Sequence, residues 1–266
     1  MSNEEKDRYL SHSLIRGLEI LAMFDMKNPT LSLVEIAHGL GVSRTVPYRL
    51  LYTLQAVGLL HQDENTKRYG LTPKVLELGF SYLNTLQLPE IARPYLEQLR
   101  DETGASSHLG ILDGREVVYV ARVPARGVST VNVTIGSRLP AYATAMGKCL
   151  LAFQSKDCLR GMLFGTDLMP YTEHTKTMNG ELQWELDSIR KNGFAISNGE
   201  FESGIRSIAA PIFDQQGSVI AALNVAASES ILKDDFISNA GLRVVSETAD
   251  ALSRCFGYRS MVNTKE

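Results

Sequence analysis

Five basic side chains of the kind that contact phosphate groups lie close together between positions 43 and 74. Only two acidic residues, Asp63 and Glu64, oppose them in this segment. The basic residues are Arg44, Arg49, Lys67, Arg68 and Lys74. Binding to a polyanion depends on local contacts that release counterions, so a local excess of positive charge matters more than the total. The segment therefore indicates contact with nucleic acid, although the chain of 266 residues has a formal net charge of −3.

Residue types that catalyse reactions or bind metals are present, but they form no known motif. Residues 146–148 end like a phosphate-binding loop, yet Tyr142 replaces the first glycine of that motif and Cys149 replaces its hydroxyl residue. The five histidines lack H-x-x-x-H spacing, and the three cysteines lack C-x-x-C spacing. A Ser/His/Asp triad built from distant segments stays open. We therefore predict no catalytic residue, no metal site and no cofactor.

The composition is that of an ordinary globular protein. Hydrophobic residues make up 44% and charged residues 21%, which excludes a disordered chain, collagen and a coiled-coil rod. The length favours two domains, because single hydrophobic cores rarely grow beyond about 250 residues. No apolar run approaches the ~18 residues of a membrane span, and the N-terminus is polar. We therefore expect a cytoplasmic protein that has no membrane partner.

Apolar residues recur at helical spacing in three short segments near the start of the chain. Helices are predicted to begin at Ser13, at about Ser32 and at Ser43, because serine is a favourable N-cap. Gly41 supplies a tight turn between the second and third helices. The apolar stripe of the third helix consists of Val46, Leu50 and Leu54. Two short helices around a tight turn, the second polar and basic outward, are typical of a helix-turn-helix.

A β-hairpin is predicted after the third helix, with strands at 59–62 and 67–71 and a four-residue loop at 63–66. This hairpin corresponds to the wing of a winged helix. Arg44, Thr45, Tyr48 and Arg49 are predicted to face the major groove, and Lys67 and Arg68 to contact the phosphate backbone. Ser43 is also predicted to contact DNA. The alternative is that this N-terminal unit is a protein-interaction module whose charges are solvated.

A further helix is predicted after the hairpin, with Thr72 as N-cap and Pro73 in the first position. Residues 75–83 are too apolar for a lone helix in water. We expect a partner subunit to cover this surface, and the alternative is packing against the chain's own second domain.

The remainder of the chain fits an antiparallel α+β domain of about six strands. The strands are predicted at 108–112, 116–123, 128–135, 194–197, 207–213 and 219–226. The helices are predicted at 89–103, 144–153, 182–191 and within 236–255. Asp113-Gly114 is a strong hairpin signal between the first two strands, and Pro94 is expected to bend or split the first helix.

Seven runs of residues follow one another in an order that is more specific than any single run. Those of the N-terminal part are SLIRGLEILAMFD, SLVEIAHGLGVSRTVPYRLLYTLQAVGLL and KRYGLTPKVLELG. Those of the C-terminal part are LPEIARPYLEQL, VVYVARVP, SRLPAYATAMGKCLLA and GFAISNGEFESGIRSIAAPIFDQQGSVIAALNVAA. This succession, which spans nearly the whole chain, resembles the IclR family of bacterial transcriptional regulators. It departs from the family at Val46-Pro47, where most members have Thr-Val or Ala-Val, and Pro47 is expected to open the first turn of the third helix.

The resemblance implies three regions: a winged helix-turn-helix DNA-binding domain at 10–71, a linker and dimerisation helix at 72–88, and a GAF-like effector-binding domain at 89–259. It is most similar to the subgroup that controls catabolism of aromatic acids such as protocatechuate and 4-hydroxybenzoate in the β-ketoadipate pathway. The implied partners are double-stranded operator DNA, a small organic acid as effector, a homodimer or dimer of dimers, and RNA polymerase if the protein is an activator.

The expected effector contacts come from two sources. The resemblance places contacts at Ala145, Met146, Ser197, Ser207 and Asn224. On physical grounds we add Arg122, Tyr142 and Thr144, since a carboxylate needs a cation or several donors and an aromatic ring needs an apolar lid. The alternative for Arg122 is a surface ion pair, and the alternative for Tyr142 and Met146 is simple core packing.

Overall fold

The computed structural model describes residues 10–126, 132–163 and 167–259, which form two compact units. The first unit ends at Thr85 and the second begins at Leu86. Both units combine helices with an antiparallel sheet, which confirms the predicted α+β class. Within the described ranges, no helix has the length and apolar character that are needed to cross a bilayer.

The first unit is a small helical domain with a wing, as predicted. Its helices are α1 (His12–Ala22), α2 (Leu33–Gly39), α3 (Thr45–Ala56) and α4 (Val75–Thr85). Its strands are β1 (Thr30–Leu31), β2 (Leu60–Gln62) and β3 (Tyr69–Leu71), in the order β1-β3-β2. The buried core includes Ile20, Ile36, Leu51, Leu60 and Tyr69. Helices α1, α2 and α3 contribute to this core together with the strands of the hairpin, so α3 is held in place by residues from distant parts of the sequence.

Capping side chains explain where the first two helices begin. Ser11, two residues before the predicted cap, accepts a hydrogen bond from the backbone N–H of Leu14 and starts α1. Ser32 caps α2 as predicted, because its hydroxyl accepts from the backbone of Glu35 while the Glu35 carboxylate accepts from the backbone of Ser32 at 2.7 Å. Gly41 then adopts φ +65°, a left-handed conformation that favours glycine, and turns the chain towards α3.

The third helix begins later than predicted and buries a different stripe. Arg44 is its N-cap residue, and the hydroxyl of Ser43 lies 3.0 Å from that of Thr45 and does not cap the helix. Pro47 is therefore the third helical residue, in the first turn, where a backbone N–H has no acceptor within the helix. The buried residues are Pro47, Leu51 and Leu54. The proline thus packs into the core without removing a helical hydrogen bond.

The second unit is built on a six-stranded antiparallel sheet with the order β6-β5-β4-β9-β8-β7. Its strands are β4 (Ser106–Asp113), β5 (Glu116–Val123), β6 (Arg138–Pro140), β7 (Ala195–Asn198), β8 (Ile205–Phe213) and β9 (Val219–Ser228). Its helices are α5 (Gln87–Thr103), α6 (Ala145–Ala152), α7 (Lys156–Leu163), α8 (Asn179–Asn192), α9 (Asp234–Phe236) and α10 (Leu242–Cys255).

Two expectations for the second unit are wrong in detail. An edge strand lies at Arg138–Pro140, where it pairs with the start of β5, whereas the prediction placed it at 128–135. Residues 128–131 lie outside the described residues, and residues 132–135 form no strand. Pro94 does not split α5, which runs unbroken from Gln87 to Thr103.

Helix α6 is wholly buried, and two residues at its start fix its position. The hydroxyl of Thr144 caps the helix by accepting a hydrogen bond from the backbone N–H of Gly147 at 3.1 Å. A Cβ on Gly147 would lie 2.3 Å from the carbonyl oxygen of Ala141, so only glycine permits this close approach. The N-terminus of α6 is thereby held beside the turn that follows β6.

Candidate functional sites

The outer face of α3 carries polar, basic and aromatic side chains that do not pack into the core. Tyr48 is 61% exposed and Tyr52 is 69% exposed, although large aromatic side chains are usually buried. Thr45 and Arg49 are exposed on the same face, one turn apart, and Arg44 is exposed just before the helix. The predicted set on this helix is therefore brought together on one surface, which has the form of a groove-reading helix.

The loop of the wing is ordered by one carboxylate. Asp63 Oδ1 accepts hydrogen bonds from the backbone of Asn65 at 3.1 Å and from the backbone and hydroxyl of Thr66 at 2.7 and 2.8 Å. The bonds from Thr66 lower the pKa of Asp63 below its usual value. Lys67 follows with φ +57°, and its side chain is exposed at the tip of the hairpin. Lys67 and Arg68 lie just before β3, whereas the prediction placed them within the return strand.

Arg68 is engaged within the unit. Its guanidinium donates to the carbonyl oxygen of Thr30 at 2.8 Å and to the hydroxyl of Thr30 at 3.0 Å, and it lies 3.0 Å from the carboxylate of Glu35. Hydrogen bonds from Ser32, followed by that from Arg68, lower the pKa of Glu35 to about 2. Arg68 therefore joins the wing to the start of α2.

A cavity of about 60 Å³ opens at one side of the sheet in the second unit. Its lining residues are Tyr119, Val133, Leu139, Ala143, Thr144, Ser197, Phe201, Glu202, Ile205, Ser207, Asn224 and Ala226. Four of the predicted effector residues belong to this wall: Thr144, Ser197, Ser207 and Asn224. The sheet brings them together because Ser197 pairs with Ser207 across β7 and β8, while Ser207 and Asn224 lie on β8 and its neighbour β9.

The other four predicted effector residues lie outside this wall. Ala145 and Met146 are fully buried in the first turn of α6, directly behind Thr144. The hydroxyl of Tyr142 donates to the carbonyl oxygen of Met169 at 2.7 Å. Arg122 lies on β5 opposite His108 of β4.

The wall offers neutral polar groups, and its one charged residue among the described lining residues is the carboxylate of Glu202. Ser197 and Asn224 are each 4% exposed, so their polar atoms lie in a nearly dry environment. The backbone N–H groups of Ala145 and Met146 belong to the first turn of α6, where no intrahelical acceptor exists and the helix dipole is positive. Such an arrangement suits a small molecule with oxygen acceptors.

Eight wall residues escaped the sequence predictions, and three of them carry an aromatic ring or a charge. Tyr119 lies on β5, and its alternation with buried neighbours indicated only an inward-facing strand position. Phe201 and Glu202 lie in the loop between β7 and β8, and the ring of Phe201 is 4.9 Å from that of Tyr171. No local pattern marks a loop residue as part of a cavity, so these positions emerge only from the fold.

Residues 146–148 superficially suggested a phosphate-binding loop, but Lys148 belongs to a buried cluster of charged side chains. Lys148 is fully buried, and its Nζ lies 2.6 Å from carboxylate oxygens of both Glu185 and Glu200. Glu185 also pairs with Lys176 at 2.8 Å. Burial raises the pKa of Glu200 despite the neighbouring ammonium of Lys148. Lys148 thus joins α6 to α8 and to the loop that carries Phe201, and it is structural.

Comparison with known proteins finds one family for both parts of the chain. The model of the IclR helix-turn-helix domain matches residues 13–64, and that of the bacterial transcriptional regulator IclR C-terminal domain matches residues 80–254. The Pca regulon regulatory protein of Pseudomonas putida is 36% identical over 214 residues, covering 80% of this chain and 73% of the relative.

Solved structures extend the similarity to the fold. The Thermotoga maritima IclR superposes with a TM-score of 0.76 at 30% identity, covering 92% of this chain and 99% of that chain. The inducer-binding domain of a PobR double mutant from Acinetobacter, in complex with 3-hydroxybenzoic acid, superposes with a TM-score of 0.59 at 31% identity, covering 63% of this chain and 98% of that chain. Because the two domain models match residues 13–64 and 80–254, the chain belongs to the IclR family of bacterial transcriptional regulators.

Proposed function

We propose that the chain binds operator DNA as a dimer and that a small aromatic carboxylic acid in the cavity of the second unit changes this binding. The observation that carries the proposal is the cavity wall itself, in which neutral polar groups surround the start of α6. A regulator with such a wall has the means to sense an acid without a cation in direct contact.

The outer face of α3 is the proposed reader of the DNA sequence. Thr45, Tyr48 and Arg49 share this face, so a single docking in the major groove brings all three to base edges. Ser43 and Arg44 precede the helix, and we assign them contacts to neighbouring phosphates.

The wing is proposed to contact the backbone through Lys67. The side chain of Arg68 already donates to Thr30 and pairs with Glu35, and those contacts compete with any phosphate. We therefore assign Arg68 the role of holding the wing in place, which makes its contribution to DNA binding indirect.

A second copy of the chain is proposed to cover apolar side chains of α1 and α4. Five such residues are more than half exposed: Leu14, Leu18, Leu76, Leu78 and Tyr82. Exposed apolar side chains concentrated on two helices favour an association surface in soluble proteins. A two-fold dimer also matches a palindromic operator, and a dimer of dimers would pair two such readers. RNA polymerase is the additional partner if the regulator activates.

The effector is proposed to be a hydroxylated aromatic acid. The complex of the Acinetobacter PobR domain with 3-hydroxybenzoic acid supports this class. The acid's carboxylate would accept from the N–H groups of Ala145 and Met146 at the positive end of α6 and from the hydroxyl of Ser197 or Ser207. Because the cavity of about 60 Å³ is smaller than the ~150 Å³ that holds benzene in an engineered cavity, a ring requires the wall to move. A movement that accompanies binding gives the acid different affinities for two conformations, which is the requirement for control of DNA binding.

Fluorescence anisotropy with labelled DNA from upstream of the protein's own gene tests the proposal, with and without 3-hydroxybenzoate or 4-hydroxybenzoate. Replacing Arg49 by Ala should weaken binding by about 5- to 150-fold, which corresponds to roughly 1–3 kcal/mol. Arg243→Ala removes one exposed positive charge from α10 of the second unit and is the matched control, expected to change affinity less than about twofold. Absence of a specific complex at moderate salt would overturn the DNA-binding role and favour a protein-interaction module. A complex that ignores every acid would remove only the effector role.

A further inference from the structure

A buried histidine lies directly behind the cavity wall. His108 of β4 is fully buried, and its Nδ1 lies 2.9 Å from Oδ1 of Asn224, its cross-strand neighbour on β9. Its ring meets Tyr119 edge-on, with ring centroids 5.5 Å apart. Both Asn224 and Tyr119 line the cavity, whereas His108 does not. The histidine therefore contacts the wall and touches no space that a ligand would enter.

The protonation of His108 follows from its surroundings. Burial, with a smaller effect of the nearby positive charge of Arg122, lowers the pKa of His108 to about 4 against the opposing effect of its hydrogen bond to Asn224. The imidazole is therefore neutral near pH 7. Because Oδ1 of Asn224 only accepts hydrogen bonds, Nδ1 must be the ring nitrogen that carries the proton.

This hydrogen bond fixes the orientation of the Asn224 amide. An asparagine amide that is free to rotate by half a turn can present either its oxygen or its nitrogen to a ligand. With Oδ1 held by the N–H of His108, the amide NH₂ group of Asn224 is the end left for the cavity. Asn224 is only 4% exposed, so water competes little for that group.

His108 also lowers the stability of the fold in a way that a purely structural residue would avoid. Among the described residues, Nε2 of His108 has no hydrogen-bond partner although it is buried. An unpaired buried acceptor disfavours the folded state. A leucine at this position would fill similar space without that cost, so packing alone does not account for the histidine.

We propose that His108 is a positioning residue that acts through Asn224 and makes the cavity select ligands with an oxygen acceptor at this point of the wall. The inference rests on the proposed effector role of the cavity and adds to it the hydrogen-bonding role of one wall residue, Asn224. An ionised carboxylate or a carbonyl oxygen accepts from the Asn224 NH₂ group, whereas an ammonium group meets a donor and is rejected. The recognised class is thus an acid or a keto compound.

Calorimetric titration of the full chain with 3-hydroxybenzoate tests this role through His108 variants. His108→Leu removes the orienting donor and should weaken binding by roughly 10-fold, the value of one hydrogen bond to a charged group. His108→Asn places an amide nitrogen near the position of Nδ1 and should keep binding within about threefold of the wild type. Thermal melting of both variants near pH 7 separates the two effects, because His108→Leu also removes the unpaired nitrogen and should not lose stability in step with affinity. Equal binding by His108→Leu and the wild type, or equal loss in both variants, would overturn the proposal.

Two substitutions of Asn224 keep the test decisive if His108→Leu fails to fold. Asn224→Leu removes the donor and should weaken binding of 3-hydroxybenzoate by roughly 10-fold. Asn224→Asp keeps an acceptor for His108 but turns a carboxylate towards the cavity, so it should weaken binding further than Asn224→Leu does. If Asn224→Asp binds the acid as well as the wild type, His108 does not set the chemistry of the wall. Failure of the wild type to bind any acid of the series is a different result, because it refutes the effector role itself and, with it, this contact.

Discussion

Mild acid should destabilise the second unit through a single residue, His108. The imidazole is buried on β4 among Asn224, Tyr119 and Arg122, and none of these neighbours supplies a negative charge. Burial keeps the phenol of Tyr119 neutral by raising its pKa, so Tyr119 does not titrate in the same range. Protonation of His108 therefore places an uncompensated positive charge in the core, next to Arg122.

The size and sign of the effect follow from the two pKa values of His108. The folded value is about 4 and the ordinary value is 6.5, so between these values the unfolded chain binds a proton that the folded chain does not. The free energy of unfolding therefore falls as the pH falls from 6.5 to 4 and is unaffected by this residue above that window. A difference of about 2.5 pKa units corresponds to about 3 kcal/mol, of which about 2 kcal/mol is lost by pH 5.

Urea unfolding at pH 7.5 and pH 5.0 measures this loss, followed by the fluorescence of Trp184. This residue is the single tryptophan of the chain and lies on α8, so the signal reports the second unit. The wild type should lose about 2 kcal/mol more than His108→Asn between the two pH values. Glu200, whose pKa is raised, is present in both proteins and cancels in the difference. Equal losses in the two proteins would refute the reasoning.

Three further predictions concern the stability of the two units. Lys148→Met leaves Glu185 and Glu200 buried without their cation and should cost about 3–5 kcal/mol in urea unfolding, whereas Lys156→Met, at an exposed lysine, should cost less than about 0.5 kcal/mol. Gly147→Ala meets the backbone of the turn after β6 and should cost about 1–3 kcal/mol, while Gly161→Ala has open space in α7 and should be neutral or stabilising by up to ~1 kcal/mol; equal unfolding midpoints would contradict the packing argument. Glu35→Gln should lower the melting temperature of the first unit at pH 6. The difference in melting temperature between the wild type and Glu35→Gln should close as the pH falls from 4.5 towards 2, because the lowered pKa of Glu35 stabilises the folded state only while its carboxylate is charged. A difference that persists at low pH in circular dichroism melts would contradict this role of Glu35.

Local patterns predicted the existence of α3 because its determinants are close in sequence, although the helix begins one residue later than predicted and buries Pro47, Leu51 and Leu54. Helical spacing and the glycine turn place the exposed face of α3, and these features span fewer than 20 residues of chain. The engagement of Arg68 was not predictable in this way. Its partners Thr30 and Glu35 precede it by 38 and 33 positions, and only the pairing of β1 with β3 brings them within reach. Tertiary structure alone thus makes Arg68, an expected phosphate contact, a residue that joins the wing to the start of α2.

The lining of the cavity is even harder to predict from local sequence patterns than the contacts of Arg68. The needs of a carboxylate ligand pointed to Thr144, and the family resemblance supplied Ser197, Ser207 and Asn224. The position of Asn224 beside a buried histidine depends on the register of β4 against β9, which strand alternation does not specify. The edge strand was misplaced for a related reason. Alternating apolar residues at 128–135 resemble a strand, whereas the short segment Arg138–Pro140 gains its strand conformation from pairing with β5.

The number of exposed basic residues on the reader surface is an argument for the proposed dimer. Of the five basic residues between positions 43 and 74, Arg68 is tied to Glu35, and Lys74 donates to the carbonyl oxygen of Val57. Arg44, Arg49 and Lys67 make no ion pair with any described residue, so three of these five cations remain exposed for phosphate contacts on each chain. Three phosphate contacts release too few counterions for tight binding at physiological salt, and two chains double that number. The exposed apolar residues of α1 and α4 supply a reason for two chains to associate, so the small basic surface and the apolar helices both support the proposed dimer as the DNA-binding form.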